Sequence, residues 1–200
     1  MPKGIPLTNE DRELRRSEIA HAAADLIFEK GFTETSVNQI AKAAGIGKST
    51  LYDFFSNKDE IILYLMEKFL IEVTSRAKAI IAGEGSVIER LRRVMQMHLE
   101  FLLRNKAFIL KLTLETQRLS IENQKIYQVK RYAYQDLLIE LIEQGIADGS
   151  FRQIDSGMLM KTLLAAMSPV VYTSRPVGTP QEMLDKTLNL ILEGAKTSDS

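Results

Sequence analysis

The segment Ser36–Phe55, SVNQIAKAAGIGKSTLYDFF, decides the fold of the N-terminal part of this chain. From Val37 to Ala44 its apolar residues recur at positions i, i+3, i+4 and i+7, which places one apolar stripe on a helix. Gly45 follows directly, and glycine is the usual residue just beyond a helix C-terminus. The segment therefore predicts a short helix that ends in a tight turn.

A second short helix follows the turn. Its inward face is apolar and consists of Ile46, Leu51 and Phe55, and its outward residues are Lys48, Ser49, Thr50 and Tyr52. Two helices this close in sequence must cross steeply. Hydroxyl, amide and lysine side chains on the outward face suit phosphate oxygens and base edges. The pair of helices thus predicts a nucleic-acid-binding element.

The start of the first helix of this pair carries a capping signal. Ser36 with Gln39 three residues later fits the capping box, in which each side chain satisfies the other residue's backbone N–H. Thr35 offers a second hydroxyl for the same free N–H groups. We therefore expect this helix to begin at residue 37.

These residues resemble the signature of the tetracycline-repressor (TetR) family of bacterial regulators. The positions that carry the resemblance are Phe32, Thr35, Ser36, Val37, Ile40, Ala41, Ala44, Gly45, Leu51, Tyr52, Phe55 and Lys58. Three positions depart from the family pattern: Gly47 replaces the common Ser or Thr, Ser49 replaces Gly or Pro, and Phe54 replaces His or Tyr. Phe54 has no group that could hydrogen-bond a phosphate.

The resemblance implies roles for individual residues in binding a double-stranded DNA operator. It implies base contacts from Lys48, Ser49 and Tyr52, with Asn38 available for another base. It implies phosphate contacts from Ser36, Thr50 and Lys58. Leu51 and Phe55 are expected in the core.

Composition restricts the other function classes. The 200 residues are 45% hydrophobic and 26% charged and include no cysteine, which excludes disulfides and thiolate sites. The sequence has no run of eighteen apolar residues and no signal-peptide pattern, so we expect a cytoplasmic protein with no membrane association. No nucleophile and base pair, metal-ligand spacing or phosphate-binding glycine loop occurs, so we expect no enzyme activity, cofactor or metal.

Net charge gives no general attraction for DNA. Basic and acidic residues both number 26, and the first sixty residues hold eight basic and ten acidic ones. Between Ser36 and Lys58, however, Asp53 is the only acid, against three lysines. So few cations give modest binding per subunit, which favours a dimer that joins two half-sites.

Three arginines near the N-terminus, Arg12, Arg15 and Arg16, allow two interpretations. They lie where an N-terminal arm could reach phosphates. Alternatively, they form a solvated face that is paired with Glu13 and Glu18. The sequence does not choose between the two.

Periodicity and capping signals along the rest of the chain predict an all-α fold of about nine helices. The expected segments are about Arg12 to Lys30, the pair within Ser36–Phe55, a long helix capped by Ser56 or Asn57 that ends before Gly83–Gly85, and helices from Ser86, from Asn105, from Ile121 to Ile146, from Asp155 to Val171 and from Thr179 to Glu193. We expect residues 1–55 to form a three-helix helix-turn-helix DNA-binding domain. Residues 56–200 are expected to form a six-helix bundle for effector binding and dimerisation.

Two tasks suit this bundle. The family pairs its last two long helices with those of a second copy, so the resemblance implies a homodimer through about Asp155–Val171 and Thr179–Glu193, although these faces could instead close the monomer core. A small hydrophobic or aromatic effector would suit a pocket lined by Met95, His98, Phe101, Phe108, Tyr127, Tyr134, Met160, Met167 and Tyr172, although such residues are more often plain core. A lone histidine such as His98 is usually hydrogen-bonded filler.

The sequence therefore predicts a homodimeric repressor that a small molecule releases from a pseudo-palindromic operator. A DNA-binding member without an effector, acting through occupancy or a protein partner, remains the alternative.

Overall fold

The computed structural model describes residues 8–116 and 119–196, and these residues form helices with no strand. An isolated antiparallel bridge joins Phe151 and Lys196. The helices are α1 (Asn9–Lys30), α2 (Val37–Ala43), α3 (Lys48–Tyr52), α4 (Lys58–Ile81), α5 (Val87–Arg104), α6 (Lys106–Thr116), α7 (Ile121–Ala147), α8 (Ser156–Ala165), α9 (Met167–Tyr172) and α10 (Pro180–Ala195). The all-α prediction is confirmed.

The count over the described residues is ten because one predicted helix is divided. Asp155–Val171 was expected to be continuous, but α8 and α9 are separate helices on either side of Ala166. Pro169 has no N–H for the carbonyl of Ala165, and its ring would clash with that carbonyl in a continuous helix. Pro169 thus explains the break, which apolar periodicity alone does not predict.

Helix α1 also starts earlier than expected, at Asn9 rather than Arg12. Its cap is Thr8, whose Oγ1 accepts from the Asp11 backbone N–H over 3.1 Å, while the Asp11 carboxylate accepts from Thr8. This places Arg12 within the first turn of a capped helix.

Two compact units divide the chain. The first takes in the described parts of Met1–Phe69 and Leu110–Tyr127. In it α2 packs on α1 and on α3. Its buried side chains near these helices are Ile19, Ala20, Ala23, Ala24, Ile27, Ile40, Ala41, Leu51, Phe54 and Phe55. This core holds the helix pair that the sequence singled out.

The second unit takes in Leu70–Ile109 and the described part of Gln128–Ser200. In it α5 packs against α9 and α10. Its most deeply buried side chains include Leu91, Val94, Met95, Leu99, Leu138, Leu141, Ile142, Leu163, Leu184, Leu188 and Leu192. The functional division at residues 55 and 56 stays a prediction.

Candidate nucleic-acid interface

Backbone and side-chain caps define both ends of α2. The Gln39 N–H donates to Ser36 Oγ over 3.3 Å, and the Ser36 N–H donates to Gln39 Oε1 over 2.7 Å, as the capping box predicts. After the helix, Gly45 has φ +65° and the Ile46 N–H donates to the Ala41 carbonyl over 3.0 Å. This glycine-ended arrangement closes α2 after seven residues and fixes the turn into α3.

Tertiary packing holds α3 in place. The helix has only five residues, far below the length at which an isolated helix is stable in water. Gly47 is its N-cap residue and supplies no side-chain hydrogen bond. On its inward side Leu51 is fully buried, and Phe55 just beyond the helix is 1% exposed. The orientation of α3 is therefore set by what lies beneath it.

The outward face of α3 carries the predicted base-contacting residues. Lys48, Ser49 and Tyr52 are exposed. Tyr52 has 47% of its surface accessible, and Lys48 Nζ lies 6.0 Å from the centre of its ring. Asn38 is exposed on α2, and Thr50 is half-buried. These positions leave the polar groups open to a ligand, and their contact with DNA stays a prediction.

Two predicted phosphate-contacting residues are engaged within the protein. The Ser36 hydroxyl donates to Gln39 Oε1 over 2.9 Å. Lys58 Nζ donates to the carbonyls of Phe32 and Thr35 over 2.7 Å each, and it lies 4.5 Å from the centre of the Phe32 ring. Lys58 thus ties the segment before α2 to the first turn of α4.

Thr35 acts differently from expectation. Its side chain is completely buried, and Oγ1 donates to the Gly31 carbonyl over 2.8 Å. The expectation that this hydroxyl caps α2 is wrong, because the end of α1 offers a free carbonyl within reach. Thr35 therefore joins the end of α1 to the segment that leads into α2.

Arg12 contacts the end of α3, which neither interpretation of the arginines predicted. Its guanidinium donates to the backbone carbonyl of Asp53, directly after α3, and lies 5.1 Å from the centre of the Phe54 ring. Phe54, which departs from the family pattern, is 8% exposed. Arg12 and Asp53 are 41 residues apart, so no local sequence signal could have paired them.

The other two arginines differ from each other. Arg15 pairs with Glu18 over 2.6 Å, as the solvated-face interpretation predicts. Arg16 instead pairs with Glu60 over 2.7 Å and lies 4.8 Å from the centre of the Phe55 ring. Arg16 therefore links α1 to the first turn of α4.

Glu13 belongs to a second link between α1 and α4. The solvated-face interpretation paired it with an arginine, but its partner in the structure is a lysine. Its carboxylate pairs with Lys68 and accepts a hydrogen bond from the Tyr64 hydroxyl over 2.8 Å. The hydrogen bonds from Lys68 and Tyr64 hold the pKa of Glu13 below its usual value. Both partners lie on α4, so the two helices are joined by charged as well as apolar contacts.

Most candidate effector residues are buried in the second unit. The side chains with no more than 4% of their surface exposed are Met95, Phe101, Tyr134, Met160 and Met167. Phe108 is half-buried on α6, and Tyr172 at the end of α9 is 36% exposed. Tyr127 falls in the first unit, unlike the other eight. The buried members fill the core in this conformation.

His98 and Tyr134 form a polar pair within this apolar region. His98 Nδ1 lies 2.7 Å from the Tyr134 hydroxyl. Burial lowers the pKa of His98 to about 4 and raises the pKa of Tyr134 above its usual value. At neutral pH the imidazole is therefore neutral and shares a hydrogen bond with the Tyr134 hydroxyl, as expected for a histidine that is hydrogen-bonded filler.

The described residues offer neither a metal site nor a membrane span. In residues 8–116 and 119–196, no three histidine or carboxylate side chains converge on a common point. Among the described helices, none is long and apolar enough to cross a membrane.

Two family models match the chain. Residues 19–65 match the model described as bacterial regulatory proteins of the tetR family, and residues 84–195 match the tetracyclin repressor-like C-terminal domain. The first match contains the whole helix pair, and the second covers more than half of the chain.

Curated relatives are similar over most of their length. The transcriptional repressor KstR2 of Mycobacterium tuberculosis is 28% identical over 184 residues, which are 90% of this chain and 92% of the relative. A fatty acid metabolism regulator protein of Bacillus subtilis is 26% identical over 159 residues, 78% of this chain and 81% of the relative.

Solved structures share the fold. The TetR family regulator PfmR of Thermus thermophilus is 27% identical with a TM-score of 0.72, over 90% of this chain and 99% of the other. FadR of Bacillus subtilis, solved with stearoyl-CoA, is 22% identical with a TM-score of 0.77, over 89% of this chain and 98% of the other. Members of this family are non-enzymatic transcription factors that bind operator DNA. With its helix pair and both family domains matched, the chain belongs to the TetR family and is a DNA-binding transcriptional regulator.

Proposed function

We propose that this regulator is a homodimeric repressor that binds a pseudo-palindromic operator and releases it when a small apolar molecule enters the second unit. One observation carries the proposal. Helix α3 exposes Lys48, Ser49 and Tyr52 while Leu51 on the same helix is fully buried. A helix that enters the major groove needs one face packed on the protein core and a polar face that is exposed to the DNA.

The proposed base contacts come from Lys48, Ser49, Tyr52 and Asn38. Lysine donates to guanine O6 and N7, and asparagine pairs with adenine N6 and N7. Ser36, Thr50 and Lys58 are proposed to bind phosphates. For Ser36 and Lys58 these contacts would add to the internal hydrogen bonds described above or replace them.

Paired lysine variants test the base contacts. Lys42 and Lys48 are both exposed, on α2 and α3 respectively, so Lys42→Ala and Lys48→Ala remove one positive charge each. An operator duplex is first selected from random DNA with the wild-type protein. Lys48→Ala is expected to reduce the ratio of operator to scrambled-duplex affinity about tenfold. Lys42→Ala should leave that ratio unchanged, and full discrimination by Lys48→Ala would refute the base-reading role.

Exposed apolar side chains on α8 and α10 support a dimer. Met158 on α8 is 61% exposed, and Leu190 on α10 is 80% exposed. Each lies on its helix opposite buried residues, such as Leu163 on α8 and Leu188 on α10. A two-fold pairing of these faces would bury both side chains. Such a dimer is proposed to bind two half-sites that lie one turn of DNA, about 34 Å, apart.

Matched surface variants test this interface. Leu190→Glu is expected to give monomers in analytical ultracentrifugation, because the carboxylate would be buried without a partner. Val129→Glu, at a position on α7 that is 66% exposed, makes the same chemical change away from α8 and α10 and should stay dimeric. A dimeric Leu190→Glu would place the interface elsewhere.

The proposed effector site surrounds the His98–Tyr134 pair. Met95, Met160 and Met167 lie among the buried residues of the same unit, and methionines adapt readily to an apolar ligand. Because these side chains are packed here, ligand entry has to displace some of them. The effector must then bind the released state more tightly than the DNA-bound state.

Stearoyl-CoA is the first probe, because FadR was solved with it and the Bacillus subtilis relative is named for fatty acid metabolism. Free coenzyme A, which lacks the acyl chain, is the control. The proposed site would be supported if stearoyl-CoA released the operator and coenzyme A did not. The release by stearoyl-CoA should also be weaker in Tyr134→Phe than in wild type. No release by any apolar ligand would favour the alternative, a regulator that acts through occupancy or a protein partner.

A further inference from the structure

The two ends of α3 are secured unequally. At the N-terminal end Gly47 supplies no capping side chain. At the C-terminal end the Asp53 carbonyl accepts a hydrogen bond from the Arg12 guanidinium. Carbonyls at a helix C-terminus lack partners within the helix, so an external donor stabilises this end. Arg12 thus supplies a side-chain tie where the helix itself supplies none.

We propose that Arg12 is a positioning residue for operator recognition, which fixes the C-terminal end of α3 without contacting DNA. The proposal rests on the proposed reading of bases by Lys48, Ser49 and Tyr52. Tyr52 is the last residue of α3 and directly precedes Asp53. Any shift of the Asp53 backbone therefore moves the Tyr52 side chain relative to the groove.

Two further contacts position Arg12 itself. Its backbone N–H donates to the Thr8 carbonyl over 2.9 Å, within the first turn of α1 that Thr8 and Asp11 cap. The guanidinium lies 5.1 Å from the centre of the nearly buried Phe54 ring. The ring limits the guanidinium to one side while the carbonyl orients its N–H groups.

This arrangement explains why the side chain is arginine and why residue 54 is apolar. A planar guanidinium stacks on a ring and donates along its edge at the same time, whereas an ammonium does not present this geometry. The guanidinium lies over the Phe54 ring, and this nearly buried ring has no polar group to offer a phosphate. Arg12 and Phe54 therefore act as a unit that secures α3.

Salt dependence separates this role from a direct phosphate contact. Removal of a phosphate-contacting arginine weakens binding to all duplexes equally. It also reduces the magnitude of the slope of log K against log salt by about 0.9. Removal of a positioning arginine lowers the affinity for the operator but leaves the non-specific affinity and the salt slope unchanged. The two roles therefore differ in three measurable quantities.

The experiment compares Arg12→Ala, Arg12→Lys and wild type on the selected operator and on a scrambled duplex across a salt series. Arg15→Ala is the matched control, since Arg15 lies on the same helix and pairs only with Glu18 among the contacts described above. We expect Arg12→Ala to bind the operator roughly tenfold more weakly, with less than a twofold change on the scrambled duplex and an unchanged slope. Arg12→Lys should not restore binding, and Arg15→Ala should resemble wild type.

Equal losses on both duplexes with a reduced slope, restored by Arg12→Lys, would overturn the proposal in favour of a phosphate contact. Unchanged operator binding in Arg12→Ala would overturn it as well.

Amide hydrogen exchange tests the tie without DNA. The N–H groups of Phe54 and Phe55 donate to the Leu51 carbonyl over 3.0 Å each. In Arg12→Ala these two amide hydrogens should exchange with solvent at least several-fold faster than in wild type. The Ile40 amide in α2 should keep its wild-type exchange rate. Unchanged exchange would refute the tie. If wild type itself showed no operator preference, the base-reading proposal would fail and this measurement would still decide the role of Arg12.

Discussion

Acid should destabilise the protein through His98, and His98→Gln isolates this effect. The imidazole is kept neutral by burial, which lowers its pKa to about 4, against about 6.5 in an unfolded chain. Because the folded pKa lies below the unfolded pKa, the unfolded state binds more protons between these values. Stability is therefore complete above pH 6.5 and is lost as the pH falls toward 4.

The size of the loss follows from the two pKa values. One pKa unit corresponds to 1.36 kcal/mol, so His98 costs the folded state about 2 kcal/mol at pH 5. Glutamine offers an amide oxygen that can accept from the Tyr134 hydroxyl, but it does not titrate in this range. His98→Gln is therefore less stable at neutral pH by a fixed packing cost, and this difference should shrink by about 2 kcal/mol at pH 5.

Urea unfolding at fixed protein concentration between pH 7.5 and pH 5 measures the difference. A fixed concentration is needed because the stability of the proposed dimer would depend on it. The acid-induced loss has to persist in His21→Gln, which removes the other histidine of the chain and retains His98. A stability gap between wild type and His98→Gln that stays constant across this pH range would refute a neutral His98 with a lowered pKa.

Three further substitutions test packing and caps. Gly145→Ala should destabilise the fold by about 1–3 kcal/mol in urea unfolding, because the added Cβ would lie 2.5 Å from a Phe151 ring carbon. In the control Gly157→Ala the added Cβ would meet its nearest neighbour at 3.4 Å, so this variant should be neutral or stabilising. Gly47→Ser should stabilise the fold by a few tenths of a kcal/mol and so raise the thermal midpoint, since the φ of residue 47 is −73° and a serine there can cap α3. A lower midpoint would contradict this. Lys58→Met should cost about 1–3 kcal/mol of unfolding free energy, because two part-buried carbonyls lose their donor, and a neutral effect would refute the anchoring role.

Local signals in the sequence predicted α2 and α3 well. The capping box at Ser36, the glycine end at Gly45 and the apolar spacing all act within a few residues, and each is found in the structure. The same reasoning placed Lys48 and Tyr52 on the exposed face. The helix division at Ala166 was also readable from the sequence, since Pro169 removes a defined hydrogen bond to Ala165.

Contacts between distant residues could not be predicted in this way. Arg12 reaches Asp53 across 41 positions, and Lys58 reaches Phe32 across 26. Such partners are chosen by the packing of helices, which periodicity alone does not specify. Exposed charges therefore looked equivalent in sequence although Arg12 and Arg15 differ fully in their contacts.

The most direct test of operator reading by α3 is fluorescence anisotropy with Tyr52→Ala on the selected operator and a scrambled duplex across a salt series. Tyr132→Ala is a close control, because both tyrosines are 47% exposed and Tyr132 lies on α7. The account predicts salt-sensitive operator preference in wild type and Tyr132→Ala, and its loss in Tyr52→Ala. Operator preference that survives in Tyr52→Ala would contradict base reading by this face of α3.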